Sequence, residues 1–142
     1  MTVVGLFDSL RISGSGLTAE RVRMDTIANN LANANTTKTE QGGPYRRQMA
    51  VFAAVAPDRQ QHFKVGRGVR VVGIVEDQSA PRLVYDPQHP DADSDGYVQM
   101  PNVNVVTEMV DLISATRAYE ANITAINAAK SMAMKALDIG RG

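Results

Sequence analysis

The chain has 142 residues, 44% of them hydrophobic, with fifteen basic and fifteen acidic side chains, only seven aromatics and no cysteine. That is about one domain of sequence, without disulfide or thiolate chemistry, and its zero formal charge excludes a nucleic-acid binder working through a broad basic field. No run approaches the roughly eighteen apolar residues of a membrane span, and no basic region precedes an apolar run at the N-terminus. The chain is therefore expected to be cytoplasmic or exported by a route that reads no cleavable signal.

Residues 3–35 are predicted to be helical. Leu6, Leu10, Ser13, Leu17, Glu20, Met24, Ile27, Leu31 and Ala34 step by four and three, which keeps one seam facing a partner helix. Ser13-Gly14-Ser15-Gly16 interrupts the pattern. Each glycine costs about 1 kcal/mol against alanine in a helix, so a kink or break is predicted near Gly14 or Gly16, with Ser15 or Thr18 capping the restart. Asn33, Asn35, Thr36 and Thr37 compete for backbone hydrogen bonds and end the helix. So many poor helix formers at 29, 30, 33 and 35 need compensation, and hydrogen bonding between subunits is the reading favoured over a frayed end.

A polar loop from Thr36 is closed by Gly42-Gly43-Pro44. Residues 45–55 read as extended, with Tyr45, Arg47, Met49 and Val51 on one side. A turn follows at 57–61. Val69 to Val75, dense in β-branched residues, is the strongest strand signal, and 82–85 is a shorter one. Pro87, Pro90 and Pro101 make 86–104 irregular and extended. The last helix is predicted from the cap residue Asn104 to about Asp138, with Gly140 as its stop, roughly 50 Å of helix. Its seam is Val105, Met109, Leu112, Thr116, Tyr119, Ile123, Ile126, Lys130, Ala133 and Leu137. Val106, Val110 and Ile113 form a second apolar row, with Met132 and Met134 on a further flank, so this helix is prepared for more than one neighbour.

The fold class is mainly α with a small β-containing middle segment, the long N- and C-terminal helices paired as a coiled coil. The expected organisation is 1–36 as one helical half, 37–103 as a β-containing insertion and 104–142 as the other half. Neither helix finds enough cover within its own molecule. The assembly interface is therefore assigned to Leu10, Leu17, Met24, Ile27, Asn30, Leu31 and Asn33 at one end, and to Met109, Leu112, Ile113, Tyr119, Ile123, Ile126 and Leu137 at the other.

Chemistry-bearing motifs are sparse. Asp91-Ala92-Asp93-Ser94-Asp95-Gly96-Tyr97-Val98 imitates a calcium loop, but its twelfth position is Asn102 instead of a bidentate Glu, and Pro101 blocks the exiting helix. A solvated acidic loop is the preferred reading. His62 and His89 lack ligand-like spacing, and no nucleophile elbow, phosphate loop or paired Cys/His motif is present. Lys130, on the seam, reads as a side chain that snorkels to the edge. No catalytic, cofactor or metal site is expected, and no small-molecule substrate.

Ser15-Gly16-Leu17 through Ala28-Asn29-Asn30-Leu31-Ala32-Asn33-Ala34-Asn35-Thr36 resembles the N-terminal signature of bacterial flagellar axial proteins, the rod, hook and hook-associated components. Gly42-Gly43-Pro44-Tyr45, Asp86-Pro87-Gln88-His89-Pro90, Gly96-Tyr97-Val98, Pro101-Asn102-Val103, Glu108-Met109-Val110-Asp111, Arg117-Ala118-Tyr119-Glu120-Ala121-Asn122 and Ala129-Lys130-Ser131-Met132 narrow the resemblance to proximal-rod members. It covers essentially the whole chain and is least distinctive over 50–80. The resemblance implies a structural subunit of the drive shaft that crosses the periplasm, exported by the flagellar type III apparatus without a cleaved signal. It also implies paired terminal helices lining a helical tube, with ends disordered before incorporation. Implied partners are copies of itself, other proximal and distal rod proteins, and the export-gate and MS-ring end of the basal body. Two alternatives from other classes stay open on sequence: a soluble helical adaptor or export chaperone, and a calcium-responsive module at 91–102.

Overall fold

The computed structural model describes residues 3–56 and 66–140. Helix α1 spans Val3–Ala32 and helix α2 Val105–Gly140. Between them lie β1 (Gln48–Ala54), β2 (Val69–Glu76), β3 (Arg82–Tyr85) and β4 (Tyr97–Met100). The chain is mainly helical with a β-containing middle. The predicted turn at 57–61 and His62 lie outside the described residues. Among the described residues, no helix is long and apolar enough to cross a membrane.

Strands β1 and β2 form an antiparallel pair: Val55 N donates to Gly68 O at one end and Asp77 N to Arg47 O at the other. Strands β3 and β4 form a second antiparallel pair, registered Arg82 to Met100 and Tyr85 to Tyr97. The two tyrosine rings meet edge to face at 5.3 Å. Strand β4 falls inside the stretch expected to be irregular. Its four residues alternate, with Val98 buried and Tyr97 exposed, a period too short to read beside so many prolines and glycines.

Contacts divide the chain into two compact units, one of residues 1–22, 51–73 and 114–142 and the other of residues 23–50 and 74–113. In the first, the predicted break at Ser13–Gly16 does not occur, and α1 runs through it. Gly14 meets open space, whereas Gly16 and Ser15 have packing roles. A Cβ on Gly16 would stand 2.9 Å from Asn122 Oδ1, so glycine lets α2 come close. The Ser15 hydroxyl donates to Ile12 O at 2.6 Å and accepts from Val69 N at 3.0 Å, pinning the start of β2 to the helix. Gly68 completes that contact: its φ of +100° suits no L side chain, and a Cβ there would collide with Ser15 Oγ. Among the unit's described residues, the buried apolar ones are Ala19, Ala115 and Ala129, all small.

The second unit carries the bulkier interior, with Ile27, Ala34, Val98, Pro101 and Val103 buried. Here α1 ends in the predicted asparagine run. Asn33 Nδ2 donates to Asn29 O at 3.0 Å, beside the backbone bond from Asn33 N, and Thr36 Oγ1 donates to Asn33 Oδ1 at 3.1 Å, so side chains brace the helix end. Tyr45 N returns to Thr36 O at 3.0 Å, which closes the polar loop and delivers the next residues back to α1. Asn104 caps α2 as expected, its Oδ1 accepting from Thr107 N at 3.1 Å.

Replacing Gly68 by Ala is expected to destabilise the chain by about 1–3 kcal/mol through backbone strain alone. Gly73→Ala, with open space around it, should stay within about 0.5 kcal/mol of the parent in the same denaturant titration.

Candidate functional site: a buried polar knot and an outward apolar row

Asn30, near the end of α1, is fully buried, and its amide makes four hydrogen bonds. Nδ2 donates to Gln48 O at 2.8 Å and to Glu108 Oε2 at 3.0 Å. Oδ1 accepts from Gln48 N and from the Tyr45 hydroxyl, both at 2.9 Å. Two donors and two acceptor sites are all that an amide has, so Asn30 is saturated inside the chain. Asn29 braces the same group, donating to Tyr45 Oη at 3.2 Å and Gln48 Oε1 at 3.3 Å.

Glu108, in the first turn of α2, is also fully buried. Its Oε1 accepts from Arg47 Nε at 2.5 Å. The other guanidinium nitrogens reach Asp111 Oδ2 at 3.6 Å and Asp77 Oδ2 at 4.0 Å, while Asp111 Oδ1 lies 3.7 Å from Arg23 Nη2. The Arg47 backbone is fixed in turn: its N–H donates to Asn102 Oδ1 at 2.8 Å, and Asn102 Nδ2 donates to Asp77 O and to Ser79. One carboxylate thus ties the end of α1, the entry to β1 and the start of α2 together.

The electrostatics follow this packing. Burial raises the Tyr45 phenol above its ordinary value, with the Glu108 and Glu76 carboxylates adding to the effect. Backbone and side-chain hydrogen bonds from Ser79 hold Asp77 below the ordinary carboxylate value, helped by Arg47. Near the acidic loop, Asp93 Oδ1 accepts from Asp95 N at 3.0 Å and Tyr97 N at 2.8 Å, and Asp91 Oδ2 accepts from Thr37 Oγ1 at 2.7 Å. These carboxylates order a turn. His89 Nδ1 accepts from Asp91 N in the same loop, and Lys130 is exposed on α2.

Burial along α2 is periodic. Glu108, Ala115 and Ala129 are buried and Asn122 is half-buried, so the covered stripe recurs every seven residues through small or polar side chains. The expected apolar seam lies beside it, displaced by about 100° per residue step. Of that seam, Leu112, Tyr119 and Ile126 are half-buried, whereas Val105, Met109, Ile123 and Leu137 are exposed. The second row is more exposed still, with Val106 at 71%, Val110 at 61% and Ile113 at 57%. On α1 the expected residues turn away from water: Leu10, Leu17, Met24 and Leu31 are half-buried, as is Asn33 just past its end, and Ile27 and Asn30 are buried.

Sequence reasoning singled out Asn30 but missed Arg47, Tyr45, Asn102 and Glu108. Arg47 and Glu108 are 61 positions apart, and no local pattern links them. The usable signal was an acid lodged between apolar residues at the start of an amphipathic helix.

Two family models match this chain: "Flagella basal body rod protein" over residues 10–38 and "Flagellar basal body rod FlgEFG protein C-terminal" over 94–139. The chain is 50% identical to the flagellar basal-body rod protein FlgC of Borreliella burgdorferi, over 98% of this chain and all of that protein. It is 50% identical to the Bacillus subtilis FlgC over 95% of this chain and 98% of that protein, and 43% identical to the Salmonella typhimurium FlgC over 99% and 100%. Helices of this pattern at both ends of the chain are those of a flagellar basal-body rod protein, a structural subunit of the rod. More narrowly, the chain belongs to the FlgC family.

Asn30→Ala, which strands the Gln48 and Tyr45 groups it now satisfies, should cost about 1–3 kcal/mol, and Tyr45→Phe about 1 kcal/mol. Chemical denaturation of the purified chain checks both, and equal values would contradict the central place given to the amide.

Proposed function

We propose that this rod subunit assembles through its terminal helices, with the outward apolar row of α2 as the contact face, into a helical tube that transmits torque and encloses the export channel. Its neighbours are copies of itself, other proximal and distal rod proteins and, at the base, the export-gate and MS-ring end of the basal body. The chain crosses to the periplasm by the flagellar export route without a cleaved signal. The assembly interface on α2 is centred on Met109, Leu112, Ile113, Tyr119, Ile123, Ile126 and Leu137. On α1, Leu10, Leu17, Met24, Ile27, Asn30, Leu31 and Asn33 form the supporting side.

One observation carries this reading. Val105, Val106, Met109, Val110 and Ile113, within about two and a half turns of one helix, all stand exposed. Fully burying a side chain of this size is worth roughly 1.5–3 kcal/mol, so such a row in water favours association. Two different faces meeting head to tail propagate into an open helix when the rotation between neighbours does not close, which suits a tube.

Ile113→Asp and Ile123→Asp are each expected to leave the second unit folded, with its tertiary circular dichroism intact, while abolishing motility and removing the chain from purified basal bodies. Either would place an unpaired carboxylate in a desolvated contact, at a cost of several kcal/mol. Normal rods carrying both changes would overturn the proposal.

A further inference from the structure

We infer that the Arg47–Glu108–Asn30 knot is a rotation lock: it holds α2 with its apolar row turned outward and so keeps the row from collapsing onto its own chain. The inference rests on the assembly reading for its purpose, but its physical content concerns the free chain alone.

On apolarity alone α2 would not sit as it does. Turning it by one residue, about 100°, would carry Glu108 into water and bring Met109 into the place Glu108 now fills. Met109 is 53% exposed and Val105, on the same side, 41%, so the turned helix would cover hydrocarbon that now meets solvent. It does not turn, because Glu108 Oε1 is held by Arg47 Nε at 2.5 Å and Oε2 by Asn30 Nδ2 at 3.0 Å. Neither partner can follow. Arg47 is anchored through its backbone N–H to Asn102, and Asn30 has its remaining three bonds on Gln48 and Tyr45. A buried polar group that specifies one arrangement among several apolar ones is the best-attested use of such pairs. Arg47 and Asn30 are therefore positioning residues for the outward row, which they do not themselves form.

The chain has no cysteine, so single cysteines can report the rotation. Met109→Cys should react rapidly with a maleimide in the parent, and Ala115→Cys, at a fully buried position, slowly. In an Arg47→Met background the lock predicts reciprocal change: the cysteine at 109 slows and that at 115 quickens, each by roughly tenfold or more, with helical circular dichroism retained. Glu108→Lys, which sets a cation against Arg47, should do the same. Arg47→Lys, which keeps a cation beside the carboxylate, should preserve the parent pattern. Rapid reaction at both positions would mean the knot only holds the fold together, and unchanged rates would mean packing alone sets the rotation; either overturns the lock. Labelling is read on the purified chain in solution, so it stands or fails independently of whether Ile113→Asp blocks rod formation.

Discussion

A single carboxylate taken out of water organises this protein. Glu108 has no solvent contact, and a buried carboxylate is tolerable only with good partners. Arg47 and Asn30 supply them from a strand entry and from another helix. Breaking such a pair by removing one partner costs about 3–5 kcal/mol, because it leaves a buried charge uncompensated. With Glu108 held this way, the hydrocarbon on α2 faces out. The oxygens of Asn30, Asn102 and Asp77 then fix where the polypeptide turns around the carboxylate.

The two compact units use opposite kinds of interior. Among the described residues, one buries branched side chains and a saturated hydrogen-bond network; the other buries alanines and admits its close contacts through Gly16, Gly68 and Ser15. A structural subunit of the flagellar rod benefits from both. The first fixes an orientation within the molecule, and the second leaves large side chains such as Ile123, Met134 and Leu137 on the outside.

Periodicity in the sequence revealed the two helices and their ends to within a few residues, because a 4-3 rhythm and an asparagine cap act locally. It revealed the inward side of α1 too, where Ile27 and Leu31 face away from water. The phase of α2 was not legible. Rhythm gives the repeat of a stripe, but which stripe turns inward depends on a partner far along the chain, here Arg47. The Ser-Gly run shows the same limitation: helix propensity reads its two glycines as a break, while contacts of Gly16 with Asn122 and of Ser15 with Val69 make the run a place of close approach. Strand β4 escaped notice because four residues between turns carry little pattern. The asparagine run was legible as needing hydrogen-bond partners. That Asn29, Asn30 and Asn33 find them within the molecule was not.

Alanine lining has a thermal consequence. Burying methyl groups such as those of Ala19, Ala115 and Ala129 removes far less hydrocarbon from water than burying leucines would. Heat-capacity change scales with the hydrocarbon surface covered, so closure of that part of the helix pair carries a shallow temperature dependence. The contact neither strengthens much on warming nor fades much in the cold, a useful property in a shaft that has to keep its dimensions wherever the cell swims.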